Sequence, residues 1–382
     1  MRRWVRTLWP CLLITCAAET FAQVEEGDLR LYGYFQNEFE FQSDLENDEF
    51  NANSFGLQQL NVFLRKDLAP RWRSYVNFEV VNSYSSSRLW GAFNMEEAWV
   101  RYRLSKELSL KLGLQIPTFN HLNEIKNRTP LLPYVVRPLV YESSFNEEVL
   151  SIEEYSPSRA FVQAYGYIPY RDAKVEYAVF LGNSPNVRTT VDGGQSGLDT
   201  TTTILVGGRI GARFKDLKLG LSATHDRVNF FKKIYPVLGE PPSHLEEKSR
   251  VRLGGDLSYD DDRFRLDGEV IAVRYDDDVP ELKFNKRFYY TTLGYYATEQ
   301  LLAYVSYWYL EEHLGFVLLE NGEPALAPET FDVKVPNLGI AYNPNDRVVL
   351  KLQYARGDID NKSELALDRE FDFYSGAISV FF

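Results

Sequence analysis

The stretch that decides the fold is Phe371 to Phe382, FDFYSGAISVFF. Every second residue back from its end, Phe382, Val380, Ile378, Gly376 and Tyr374, belongs to one apolar face. That is the two-residue period of a β-strand. A chain end ordinarily frays unless something ties it down. A strand that carries an apolar face to its last residue must therefore be paired along its edges and covered on that face. What covers it follows from the rest of the chain.

Working outward, the first strand is predicted at LRLYGYFQNEFEF. Leu29, Leu31, Gly33, Phe35, Phe39 and Phe41 share one face, and Arg30, Tyr32, Tyr34, Gln36, Glu38 and Glu40 share the other. Phase alone does not separate a soluble sandwich from its inverse, a barrel with an apolar exterior and a polar lumen. The connections do. Further strands are predicted near 55–66, 72–81, 95–104, 108–116, 160–168, 173–181, 203–213 and 217–225. Others follow near 251–259, 264–274, 288–296, 301–310, 334–342, 348–355 and 371–382, sixteen in all.

Their connections alternate in length. Those at 43–54, 82–94, 117–159, 182–202, 226–250, 275–287, 311–333 and 356–370 are long. The others are tight and carry turn chemistry, as in KDLAPR, LSKEL, IPYRD, FKD, YDDDR, ATEQ and NPNDR. This is an all-β chain laid out as a transmembrane antiparallel β-barrel of 16 strands, with short periplasmic turns and long extracellular loops. In hydrocarbon every backbone N–H must pair, so the last strand closes on the first. Lipid then covers the apolar face of Phe371–Phe382. Trp72, Trp99, Tyr102, Tyr259, Tyr275, Phe288, Tyr289, Tyr290, Tyr295, Tyr296, Tyr307, Trp308 and Tyr309 are read as two aromatic girdles at the membrane surfaces.

The 382 residues are 45% hydrophobic and 15% aromatic, and no run outside the N-terminus is long enough for a membrane helix. Residues 1–22 read as a cleaved signal peptide: Arg2, Arg3 and Arg6, an apolar stretch from Leu8 to Ala18, then Thr20-Phe21-Ala22. A lipid-anchored alternative modifies Cys16, although Thr15 is a poor residue before such a cysteine. Cleavage after Ala22 leaves residues 23–382 as the barrel and removes both cysteines, so no disulfide framework holds it. It also takes away three Arg and one Glu, a net +2, so the formal charge of −12 becomes −14. That balance argues against a nucleic-acid partner.

A signal peptide, sixteen strands and a closing strand that ends on an aromatic residue resemble the Gram-negative general porins. The resemblance implies an outer-membrane location among lipid and lipopolysaccharide, and a homotrimer. It also implies that Tyr374, Ile378, Val380 and Phe382 form the signal read by the barrel assembly machinery. In that family the third long loop folds into the barrel and narrows it, which here marks 117–159 as the constriction loop. The stretch GLQIPTFNHLNE…RPLVYE is similar to the start of that loop in phosphate-selective-type porins, although the basic ladder of a phosphate channel is not evident.

Charge rings select ions at constrictions. The loop supplies Glu124, Lys126, Arg128, Arg137, Glu142, Glu147, Glu148, Glu153 and Glu154, a balance that leans weakly to cations. Arg101, Arg103 and Lys111, in phase on adjacent strands, are expected to face it. Other inward positions carry both signs: Arg30, Glu38, Glu40, Arg65, Glu79, Glu97, Arg209, Arg213, Arg252, Asp256, Arg265, Asp267, Glu269 and Lys351.

The acidic loop clusters, Asp276-Asp277-Asp278 among them, lack the spacing of a calcium loop and read as solvated charge. No metal or cofactor is expected. An enzyme is not expected either. His225 and Asp226 are neighbours in a strand and so point to opposite faces, and no G-x-S-x-G motif occurs. The expected function is passive diffusion of small hydrophilic solutes and ions. A sugar- or anion-specific channel, with Tyr32, Tyr34, Tyr75 and Trp99 stacking on solute rings, and a non-conducting binding barrel are the alternatives.

Overall fold

The computed structural model describes residues 29–44, 52–81, 92–125, 128–141, 155–157, 159–184, 201, 203–228, 248–275, 285–320, 323–362 and 368–382. The first eight strands are β1 (Arg30–Asp44), β2 (Ala52–Ala69), β3 (Trp72–Val81), β4 (Ala92–Arg103), β5 (Ser109–Gln115), β6 (Ala160–Tyr170), β7 (Ala173–Gly182) and β8 (Leu205–Phe214). The rest are β9 (Leu217–Val228), β10 (Lys248–Asp260), β11 (Phe264–Tyr275), β12 (Lys286–Thr298), β13 (Leu301–Glu320), β14 (Glu323–Asn345), β15 (Val348–Asn361) and β16 (Arg369–Phe381). They form one closed antiparallel barrel in sequence order, with β16 returning to β1.

Closure is made by the stretch that opened the sequence reading. β16 pairs with β1 from Asp44↔Phe371 to Tyr34↔Phe381, and Phe382 and Gly33 exchange both backbone hydrogen bonds at 3.0 Å. The Phe382 ring lies against Gly33, where a Cβ would come within 2.7 Å of it. The ladder therefore has no free edge.

Alternation sorts the side chains as expected. Phe39, Phe93, Leu112, Val179, Leu221, Leu293, Leu352, Ile378 and Phe382 all point outward, with Phe93 68% and Leu221 67% exposed. A single barrel in water would not present this continuous apolar exterior, which matches a bilayer instead.

Two expectations need correction. The connection predicted at 311–333 is mostly strand. β13 and β14 run on as a paired ribbon to Glu320↔Glu323, because HLGFVLLE and EPALAPETFDV find antiparallel partners in each other. The aromatic girdles are also thinner than predicted. Trp72, Tyr102, Tyr289, Tyr295, Tyr307 and Tyr309 face out, whereas Trp99, Tyr275, Phe288, Tyr290, Tyr296 and Trp308 face the lumen. Adjacent residues of a strand cannot share a face, so runs such as Tyr289-Tyr290 are divided between lipid and lumen.

Candidate functional site

The lumen is shaped by the chain that leaves β5. Gly113 has φ +119°, and the register between β5 and β6 slips between Leu112 and Gln115. Only glycine adopts that backbone readily, and the bulge turns the strand end inward. Pro117 follows and has no N–H to extend a ladder. Residues 116–125 and 128–141 then cross the lumen in two short 3₁₀ turns and irregular chain, Thr129–Leu131 and Leu139–Tyr141 being the turns. The loop expected to fold inward does so over its described part.

Wall side chains hold it by its backbone. Glu269 on β11 accepts the Leu122 N–H at 2.6 Å with one oxygen and the Tyr141 hydroxyl at 2.7 Å with the other. Gln353 on β15 accepts the N–H groups of Val135 and Val136 at 2.8 and 2.9 Å and donates to the Val136 carbonyl at 3.2 Å. Lys351 is 2% exposed; its ammonium donates to Gln36 Oε1 and to the carbonyls of Thr129 and Tyr134 at 2.8, 2.9 and 3.2 Å. Gln163 on β6 accepts the Thr118 N–H at 3.2 Å, and Ser222 on β9 accepts the Asn120 N–H at 3.0 Å.

These bonds meet the requirement that buried backbone groups be paired, and apolar packing adds to them. Phe119, Leu122, Leu132, Tyr134, Val136, Leu139 and Val140 pack against the inward Ile271, Phe288, Tyr304, Trp308, Val333 and Phe373. Burial pushes the Tyr141 phenol well above its ordinary pKa, with the Glu269 carboxylate adding to the shift. One side of the lumen is thus filled by a protein core.

The opposite side stays open. A cavity of about 420 Å³ is lined by Arg101, Arg103, Lys106, Lys111, Arg209, Glu124 and Glu176, with Gln163, Tyr165 and Tyr167 between them. The predicted basic cluster and the loop carboxylate Glu124 are therefore brought together. Arg101 lies directly opposite Lys111 and also opposite Arg73. Lys111 Nζ sits 4.8 Å from the Trp99 ring and 5.6 Å from that of Tyr165. Among the described residues no carboxylate comes within ion-pairing distance of Arg101, Arg103 or Lys111. Other inward charges are neutralised: Arg209 pairs with Asp256 at 2.6 Å, Arg250 and Arg252 share Asp226 at 2.6 and 3.1 Å, and Arg265 pairs with Asp267 at 2.5 Å.

Arg128 is not among the residues lining this cavity. Its guanidinium is 3.9 Å from Glu97 and within electrostatic reach of the Tyr34 and Tyr75 phenols. Burial opposes its charge, and Tyr75, Glu97, Tyr34 and Glu124 around it more than offset that, so its pKa is raised. Arg137 is half-buried within electrostatic reach of Glu79. Lys126, Glu142, Glu147 and Glu148 lie outside the described residues, as do Asp276-Asp277-Asp278.

Tyr32 and Tyr75 stack on Phe63 at 5.1 and 5.8 Å, Tyr75 stacks on Trp99 at 4.9 Å, and Tyr34 meets Phe63 edge-on at 5.2 Å. These rings form one cluster within the wall. Asp226 faces in, bonded to Ser184 at 2.7 Å, while His225 faces out to Ser249 at 3.0 Å. The two act on opposite sides of the sheet. Lys106, Tyr167 and Glu176 line the cavity without having been singled out in the sequence. The inward phase of Tyr167 and Glu176 is legible, whereas Lys106 lies in the turn between β4 and β5 and has no strand phase.

No family model matches the sequence, and no curated protein matches it either. Solved structures do match along nearly its whole length. An anion-selective porin from Comamonas acidovorans is 12% identical, with 94% of this chain and 100% of that one covered and a TM-score of 0.60. The outer membrane channel DcaP of Acinetobacter baumannii is 11% identical over 93% and 97% of the two chains, with a TM-score of 0.57. A loop-deleted form of OmpT, an outer membrane protein of Vibrio cholerae, is 11% identical over 93% and 99%, with a TM-score of 0.58. The chain has the fold of an outer-membrane porin, and its apolar exterior agrees with a place in that membrane.

Proposed function

We propose that the protein is a passive diffusion channel for small hydrophilic solutes, with a preference for anions. The observation that carries this is the cavity beside the inward loop, where Arg101, Arg103, Lys106 and Lys111, none of them in an ion pair among the described residues, outnumber Glu124 and Glu176. In a narrow, low-dielectric passage such an imbalance repels cations and concentrates anions. The weak lean to cations drawn from the loop's overall acidity is replaced by this reading, because the side chains lining the open path are mainly basic.

In this proposal the short-turn end faces the periplasm, residues 1–22 direct export, and no chemical reaction takes place. The outward Tyr374, Ile378, Val380 and Phe382 present the assembly signal, and three copies associate in the membrane. The likeness to an anion-selective porin supports the sign of the charge preference, without fixing a solute.

Swelling of proteoliposomes in isotonic solutes tests the reading. Neutral monosaccharides and small anions are expected to enter, and trisaccharides to enter far more slowly. Liposomes that hold folded barrel yet stay unswollen in every solute would favour a non-conducting binding barrel.

A further inference from the structure

Beside the cavity, at the same short-turn end as Arg103 and Lys106, the wall repeats its charge pattern. Lys174 on β7 lies directly opposite Arg213 on β8, and Arg213 directly opposite Lys218 on β9. All three occupy inward positions within two residues of a strand end. Like charges in direct cross-strand register destabilise a sheet. Here the arrangement occurs twice in succession, with no carboxylate within ion-pairing distance among the described residues.

The carboxylates acting on Lys218 include Glu176, Asp267 and Asp260, and Asp267 and Asp260 are engaged by Arg265. The row also adjoins the cavity. Lys174 Nζ is 5.5 Å from the ring of Tyr167, which is itself a cavity-lining residue. Three adjacent strands span about 10 Å at the usual spacing, room for one small ion with several charged oxygens.

We propose that Lys174, Arg213 and Lys218 form a second anion site at the short-turn rim, alongside Arg101, Arg103 and Lys111. Together the two sites favour small multiply charged anions over monovalent ones. The inference rests on the channel reading. Its physical basis is that Coulomb attraction scales with the product of charges. A single chloride compensates one member of the row, whereas a polyanion compensates all three and relieves their repulsion. Phosphoryl and polycarboxylate groups share this chemistry.

The test measures block of the chloride current in planar bilayers, with pyrophosphate or citrate added on the short-turn side at constant KCl. The wild type is compared with a K174Q/R213Q/K218Q variant. Block is expected in the wild type, with the half-blocking concentration roughly tenfold higher in the variant. KCl conductance should stay within about twofold, since Arg101, Arg103 and Lys111 are untouched. Block by both anions marks a site selective for charge alone; block by pyrophosphate only assigns it to phosphoryl groups. Equal block of the two proteins overturns the proposal, as does the absence of any block.

If the wild type does not conduct, the channel reading falls separately. Calorimetric titration of pyrophosphate into the detergent-solubilised barrel then decides the matter. Binding weakened about tenfold by the triple substitution upholds the rim site. No binding, or equal binding, removes it.

Discussion

On β11–β16 the inward positions hold Ile271, Val273, Phe288, Trp308, Val333 and Phe373, whereas on β3–β9 they hold Arg73, Arg101, Lys111, Lys174, Arg213 and Lys218. Both sets lie on strands whose other face meets lipid. The first set is dry because residues 116–125 and 128–141 lie over it, tied down by Glu269, Lys351 and Gln353. The second is wet and its charges are only partly paired. A loop thus decides which half of a barrel is core and which half is pore. The strand alternation is the same in both.

Substitutions on the two halves should separate stability from selectivity. The largest stability loss is expected for Trp308→Ala, which empties a fully buried site between loop and wall. It should cost about 3–5 kcal/mol, read as a lower melting temperature in detergent, and should add slow fluctuations to the open current. Lys351→Met leaves the Thr129 and Tyr134 carbonyls without their donor. A loss of about 1–3 kcal/mol is expected, again with a noisier channel; an unchanged melting temperature would show that the loop is held some other way.

On the wet side, Arg101→Gln with Lys111→Gln should leave stability within about 0.5 kcal/mol. It should also move the zero-current potential several-fold in permeability ratio towards cations. A stability loss as large as that of Trp308→Ala would erase the distinction between the halves.

The smallest effect concerns His121. Burial, helped by the Lys218 charge, holds its pKa below the ordinary 6.5. A lowered folded value means that its neutral form contributes stability above pH 6.5 that is lost as pH falls through the folded value. His121→Gln should therefore match the wild type at neutral pH and resist acid slightly better in melting experiments.

The barrel itself was legible. Alternating strands, the even count and the segregation of long and short connections are all local features of the sequence. The ribbon of β13 and β14 was not, because strand and loop propensities are close in HLGFVLLE and only pairing decides. The covered half left a signal that the girdle reading absorbed. KRFYYTTLGYY in β12 barely alternates, which is how a strand apolar on both faces reads. The inward phase of Arg101, Arg103 and Lys111 was legible, and the structure places them with Glu124 on one cavity. That Arg209, Arg252 and Arg265 are neutralised was not, since their partners sit on other strands or two residues away at heights fixed by stagger. Lys351 and Glu269 were visible as inward charges, but their role as backbone anchors depends on where the loop runs.

The most direct test is the zero-current potential of the purified protein in a planar bilayer under a tenfold KCl gradient. The expected result is discrete conductance steps with a potential of the sign set by chloride permeating faster than potassium. A folded, inserted barrel that passes no current, or one whose potential follows potassium, would contradict a basic, open half-lumen as the conducting path.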